Sequence, residues 1–277
     1  MFDTAPDPDT PLLQDIAFAV ALRLCGQNPV VLRSGLIVLR QRVFGVPMLM
    51  LPRATPPIDL VDQLRDFGLH RLPLILSPEH PCTLPAAVRL RAPQSMARLD
   101  LFADTQAARR ALHPKWRNQL RRGEAAGLRV VHAPMNSSAT QSVLTLETAQ
   151  AKARRYGNWP AALTAAFAKV APDQTRLFTA FIGNTAVAHM LFLRHGPRAT
   201  YHIGHISARG KEVCAHNVLL WQASRWLADQ GHTAIDLGLI TPQTPGLNRF
   251  KLRTGAHLVE SGGTWLRWCP LARKRAA

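Results

Sequence analysis

The four cysteines, Cys25, Cys82, Cys214 and Cys269, form no CxxC pair. That leaves neither a zinc knuckle nor a dithiol redox motif, and points to reduced, mostly buried thiols. The 11 histidines include no HExxH or comparable spacing, so no structural metal is expected. Long hydrophobic runs are missing too. The longest, from Val43 to Leu51, falls far short of the roughly 18 residues that cross a bilayer, and Asp15 and Arg23 interrupt the N-terminal apolar stretch. No transmembrane helix is expected. The first ten residues hold three aspartates and no base, unlike a secretory signal, so a cytoplasmic location is expected. Repeats and low-complexity tracts are absent. Acidic residues are scarce, 17 against 34 Lys+Arg, which gives a formal net charge of +17 and a pI near 11.3. Such a balance favours polyanionic company: RNA, nucleotide phosphates or an anionic lipid surface. Arginine greatly outnumbers lysine, which suits bidentate phosphate contacts but also follows from genome base composition.

What is present is enough apolar material, 47% of 277 residues, for one large core or two modest ones. Residues 11–24 read as a helix, and residues 29–51 as strands around a Ser34-Gly35 turn, with Gly45 and Pro47 breaking the pattern. A helix over 58–67 and a short buried strand over 72–76 follow. Proline is dense from Pro47 to Pro93, which implies many short connections. Residues 105–126 read as one basic helix carrying Arg109, Arg110, Lys115, Arg117, Arg121 and Arg122 against the single acid Glu124. Trp116 falls on its apolar stripe with Leu112 and Leu120, which places it in the core. After a strand over 128–132, residues 142–155 and 159–170 read as helices of ordinary composition. The clearest β signal is a three-stranded antiparallel meander: residues 176–182, the Gly183-Asn184 turn, residues 185–195, the Gly196-Pro197 break, then residues 198–206. A loop over 207–211 opens a helix with Ala215, Leu219, Ala223, Trp226 and Leu227 at helical spacing, closed by Gly231. A strand over 233–237, a short helix over 246–254, and a final strand or hairpin over 257–268 complete the chain, ahead of the basic tail Arg273-Lys274-Arg275.

A meander that feeds a polar loop at the mouth of a helix can seat phosphate, because unpaired backbone N–H groups and the helix dipole point at the ligand. Ser207, Arg209, Gly210 and Lys211 are the candidate carrier-binding residues. His202 and His205, at the end of the third meander strand, are placed to act as a base. Strict alternation puts them on opposite faces and puts His205 with Tyr201, which favours His205. Asp236 ends a short apolar strand, where a carboxylate needs a partner; it could orient an amine or a base, or cap the following loop. Lys251 could meet an anionic group or stand as a surface cation.

Two stretches carry a family resemblance. Leu99-Asp100-Leu101 with His113-Pro114-Lys115-Trp116-Arg117-Asn118-Gln119-Leu120-Arg121-Arg122 and Ala125-Ala126-Gly127-Leu128 resembles the basic helix of Fem-type transferases. Tyr201-His202-Ile203-Gly204-His205-Ile206-Ser207, Leu219-Leu220-Trp221, Ile235-Asp236-Leu237-Gly238, Gly246-Leu247-Asn248-Arg249-Phe250-Lys251 and Gly255 resemble the C-terminal half of the same FemAB-related group. The resemblance implies a GNAT-like α/β (α+β) fold: a mixed, mainly antiparallel sheet flanked by helices. It also implies a degenerate GNAT-like half over residues 1–98 and an acyltransferase domain over 99–277. The implied activity is transfer of an acyl or aminoacyl group to an amine, with no tightly bound cofactor. The loop departs from the acetyl-CoA signature Gln/Arg-x-x-Gly-x-Gly/Ala, since Gly210 directly follows Arg209, which leaves acyl-CoA, acyl carrier protein and aminoacyl-tRNA open as donors. On this reading His205 and Asp236 are expected to handle the amine, and Tyr201, His202, Asn248 and Lys251 to contact substrate. The basic helix, Arg109 to Arg122, is read as a docking face for RNA or an anionic acceptor, or simply as a solvated face, and tRNA stands as a possible partner. Peripheral contact with anionic membrane, and a non-catalytic RNA- or membrane-binding module, stand as the alternatives.

Overall fold

The computed structural model describes residues 10–135 and 137–270. The chain divides into two compact units. One is built from Leu13–Ser95 and the residues from Glu260 onward, the other mainly from Met96–Val259. The division thus falls three residues before the expected 98/99 boundary, and the end of the chain groups with the first unit. The basic tail at 273–275 lies outside the described residues.

In the smaller unit, α1 (Ile16–Leu24) is capped by Asp15, whose carboxylate accepts from Ala17 N at 2.8 Å. Strands β1 (Val30–Val31), β2 (Ile37–Val43) and β3 (Val46–Pro52) precede α2 (Leu60–Asp66), β4 (Leu74–Ser77) and β5 (Val88–Arg91). The expected break at Gly45 and Pro47 is instead a two-residue hairpin turn, Phe44-Gly45, with Val43 opposite Val46. The core gathers Val38, Leu49, Leu51, Leu60, Leu64, Leu74 and Leu76.

The larger unit opens on β6 (Ser95–Asp100), a strand the proline-rich stretch before it obscures in the sequence. The single basic helix expected over 105–126 is two helices, α3 (Thr105–Ala111) and α4 (Pro114–Ala125). Pro114 cannot continue a helix but suits its first position, and His113 Nδ1 caps α4 by accepting from Lys115 N at 3.2 Å. Then come β7 (Arg129–Ala133), α5 (Ser137–Arg154), α6 (Ala161–Val170), and the meander β8 (Thr175–Ile182), β9 (Thr185–His195) and β10 (Arg198–Ile206), within one residue of expectation. The expected loop at 207–211 is a five-residue helix, α7 (Ala208–Glu212), followed by α8 (Ala215–Asp229), β11 (Ala234–Leu239), α9 (Pro245–Leu252), β12 (His257–Glu260) and β13 (Thr264–Arg267).

The larger sheet runs β12-β6-β11-β10-β9-β8-β7, and the smaller runs β1-β2-β3-β4-β13-β5. The final two strands are therefore not a hairpin: they belong to different sheets. Ser261 N donates to Gln94 O and Gly262 N to Pro78 O, which fixes the chain against the smaller unit between them. In the larger unit, α8 lays Ala215, Leu219, Ala223 and Leu227 on one face of the sheet, against Phe178, Met190, Phe192 and Ala199. Each large apolar side chain so buried stabilises the fold by about 1.5–3 kcal/mol. Trp116, 1% exposed, joins this core as its stripe position predicts, with its ring 6.1 Å from Phe250. The mixed, mainly antiparallel architecture with flanking helices is the fold class expected. Among the described residues, no helix is long and apolar enough to cross a membrane.

Candidate active site

The sheet opens in its middle. Strands β10 and β11 run parallel but pair over only three residues, Arg198–Thr200 against Ala234–Asp236, while β10 continues alone on that side to Ile206. Backbone polar groups released by such a parting need other partners. Two carbonyls find them in side chains: His202 O accepts from Asn158 Nδ2 at 3.3 Å, and Gly204 O from Gln150 Nε2 at 2.9 Å.

A bulge decides which β10 side chains meet. Tyr201 lies opposite Phe192 and His205 opposite His189, with the register shifting between Tyr201 and Ile203. Residues three apart on β9 face opposite ways, so the extra residue puts Tyr201 and His205 on opposite faces, contrary to the alternation argument. Tyr201 packs into the α8-side core, and burial holds its phenol protonated well above the usual range. Its hydroxyl fills the space over Gly204, where a Cβ would come within 1.6 Å of it. His202, the bulged residue, meets α6 through Thr164 Oγ1 at 3.0 Å, with its ring 4.8 Å from Trp159. Burial pushes its pKa down to about 4, which keeps it neutral. His205 is half-buried, with its pKa lowered by desolvation and by Arg154, and drawn up by Glu147. Behind it, His189 receives or gives a hydrogen bond at Thr179 Oγ1, and His216 Nε2 donates to the His205 carbonyl at 2.9 Å.

The face that carries Ile203 borders a cleft of ≈ 260 Å³ walled by α5, the loop after it and the start of α6: Glu147, Ala151, Tyr156, Asn158, Trp159 and Thr164. Glu147 is 6% exposed and lines the cleft. Its carboxylate accepts from Tyr156 Oη at 3.0 Å and from Asn158 Nδ2 at 2.8 Å, both neutral donors. No ion pair to it is found among the described residues, an unusual state for a buried carboxylate. Sequence reading passed over Glu147 because its helix is unremarkable in composition; only the fold brings Tyr156 and Asn158 to it.

Asp236 stands where β10 and β11 are still paired, apart from this cleft's lining. Arg98 Nε reaches Oδ1 at 3.0 Å and Arg198 NH1 reaches Oδ2 at 3.2 Å, so both oxygens are engaged by guanidinium groups. Lys251, read from the sequence as a possible surface cation, is buried on α9. Its Nζ donates to Leu239 O at 2.9 Å and lies 3.7 Å from the Cβ position of Gly238, at the end of β11 that pairs with β6 but no longer with β10. Desolvation pushes its pKa down to about 8. Asn248 closes the turn before α9, with Nδ2 donating to Thr241 O at 2.6 Å.

The stretch expected to seat phosphates satisfies much of its own polarity. Ser207 caps α7 by accepting from Gly210 N at 3.0 Å, Lys211 N donates to Ser207 O, and Ser207 N donates to Val187 O. Gly210 is required by close packing, since a Cβ there would lie 2.4 Å from Val187 O. Arg209 pairs with Glu212 at 2.7 Å on the surface, which leaves exposed Lys211 as the charge not so engaged.

Similar folds occur among solved structures. FemX matches at a TM-score of 0.75 with 10% identity, over 96% of this chain and 94% of that one. The C-terminal domain of a putative lysylphosphatidylglycerol synthetase from Agrobacterium fabrum gives 0.61 at 13% identity, over 91% and 87%. L-PGS from Bacillus licheniformis gives 0.56 at 10% identity, over 95% and 88%. At these identities the likeness is one of fold. No curated protein matches the sequence. Residues 91–252, more than half of the chain, match the acetyltransferase (GNAT) domain, and the chain belongs to that family of acyltransferases.

Proposed function

We propose that the chain moves an acyl group from a phosphate-bearing thioester carrier, acyl-CoA or acyl carrier protein, to an amine held in the Glu147 cleft. The observation that carries this reading is Glu147: a buried carboxylate, with no cation paired to it among the described residues, at the wall of a cleft beside the open edge of β10. An amine donating to Glu147 would supply the missing charge-assisted bond. Lys211 and the first N–H groups of α8 would face the carrier's phosphates. Nitrogen attacks the thioester carbonyl, the carbonyl oxygen takes up negative charge near the Lys251 ammonium, and the C–S bond breaks as the carbonyl reforms, the carrier sulfur leaving with the bonding pair as its thiolate. The nitrogen becomes acidic as its bond to carbon forms, and neutral His205 takes the proton. Positioning alone can supply about 7–11 kcal/mol of the barrier, so the pair needs no triad. In this scheme Asp236 supports the strands rather than touching the amine.

Glu147→Gln should raise the KM for the amine roughly 10- to 100-fold, the worth of a charged hydrogen bond, with donor binding unchanged. Steady-state kinetics with the amine varied checks this; an unchanged KM would remove Glu147 from the acceptor site. For His205 the neutral form is the active one, and its pKa lies below 6.5. The rate should therefore climb with pH through a value below 6.5 and then level off. His205→Gln should flatten that limb and lower kcat about 10²-fold, and a pH profile that keeps its acid limb in the variant would exclude His205 as the base.

A second reading, with an aminoacyl-tRNA ester as donor, is favoured by one observation. Lys115, Arg121 and Arg122 of α4 are exposed and make no ion pair among the described residues, whereas Arg109 is held by Glu124 and Arg117 by the carbonyls of Arg110 and Leu112. Product formed from charged tRNA, with binding that falls steeply with salt, would select it over a thioester.

A further inference from the structure

The hairpin of β2 and β3 ends in a finger whose residues, from Arg40 to Pro47, are all exposed. Its turn has two central residues, Phe44 and Gly45, both with positive φ, 49° and 80°. Turns of this kind favour Asn-Gly, because a bulky side chain is strained in the left-handed region. Here the first position holds phenylalanine, 101% exposed, between Val43 and Val46, which are 41% and 51% exposed. Phe44 makes no ring contact among the described residues. The residue is thus unfavourable for the backbone and unfavourable in water, and folding gains nothing from it. Such a combination marks a residue kept for something it meets from outside.

The stem beneath the tip supplies the chemistry of that encounter. Arg40 and Arg42 stand on it with no acid among residues 40–47; among the described residues Arg42 reaches only the Gly45 carbonyl, at 3.2 Å. Both arginines, with Gln27 and Asn28, line a groove of ≈ 480 Å³ at the base of the finger. An apolar tip over a pair of guanidinium groups and amide side chains matches the layering of a bilayer surface, acyl chains beyond phosphates. The net charge of +17 adds long-range attraction to anionic lipid.

We propose that this finger is a membrane-docking element: Phe44, flanked by Val43 and Val46, enters an anionic phospholipid surface while Arg40 and Arg42 hold its phosphates. The reading is independent of which acyl donor or acceptor the other unit uses. It is tested by flotation of the full chain with vesicles of phosphatidylcholine alone and of equal parts phosphatidylcholine and phosphatidylglycerol. The parent should float with the anionic vesicles and not with the neutral ones. Phe44→Asn, which gives the turn its preferred residue, should keep or raise the melting temperature and weaken vesicle binding about tenfold or more. Phe44→Trp should bind at least as well as the parent. Arg40→Gln with Arg42→Gln should weaken binding as well. Binding by Phe44→Asn as tight as the parent's would mean that the overall charge alone holds the protein to lipid, and would overturn the proposal. So would a parent that ignores anionic vesicles, or a Phe44→Trp variant that no longer binds.

Discussion

Lys251→Met is expected to lower kcat about 10³-fold while leaving the protein at least as stable as before. The two halves of that result come from the same burial. A cation 5% exposed, whose Nζ meets one carbonyl at 2.9 Å, is poorly compensated for the water it has lost. Methionine has a similar length and no charge, and such replacements are commonly neutral or stabilising by about 1–4 kcal/mol. In the proposed scheme the same desolvation makes the charge effective at the end of β11, where the oxygen turning negative would meet it, and removing one such donor typically lowers kcat about 10²–10³-fold. The pH dependence is fixed in sign. Folding lowers the Lys251 pKa from 10.5 to about 8, so between those values the unfolded chain binds more protons and stability rises with pH. That rise amounts to roughly 3 kcal/mol and should vanish in Lys251→Met. In the proposed scheme activity needs the ammonium and should fall as pH passes about 8, completing a bell whose acid side is assigned to His205. Denaturant titrations at pH 7 and 10, set beside rate profiles, check both; a variant that loses stability and keeps its rate would reverse the assignment.

Asp236→Ala is expected to act the other way, on stability first. Its carboxylate neutralises Arg98 and Arg198, and the Arg198 side chain is only 2% exposed. Removing the acid takes from that buried guanidinium the carboxylate it meets at 3.2 Å, and breaking a buried pair in this way costs about 3 kcal/mol or more. For a protein of this size the melting temperature should drop by about 6–12 °C. Enzyme kept well below the transition should retain kcat within about tenfold. Calorimetry and rates measured on the same samples separate the two roles: an unchanged melting temperature with a large loss of rate would return Asp236 to the chemistry.

The meander could be located in the sequence to within a residue because alternation, a Gly183-Asn184 turn and a Gly196-Pro197 break all agree there. The facing of its side chains could not. One unpaired residue at position 202 reverses every later side chain, and a bulge leaves no mark in an alternating pattern, so alternation groups Tyr201 with His205 although the strand separates them. The break between α3 and α4 escapes a reading of residues 105–126 as one helix, although Pro114, which cannot continue a helix, marks it. Glu147 was not legible, because what distinguishes it is the company of Tyr156 and Asn158, nine and eleven residues on, across a loop. Lys251 shows the reverse case: its place in the chain was singled out, but its burial depends on how α9 closes over β11, which local pattern does not encode.

The position of β13 has a consequence for how the protein is made. It lies between β4 and β5, inside the sheet of the unit whose other strands leave the ribosome first. At about 5–20 residues per second, the gap between the emergence of β5 and that of β13 is on the order of ten to thirty seconds. Through that interval β4 and β5 have an empty lane between them, with unpaired edges that can recruit a stray strand. The unit synthesised first is therefore the one finished last, and a chaperone that shields those edges during translation would act on yield without touching the mature enzyme.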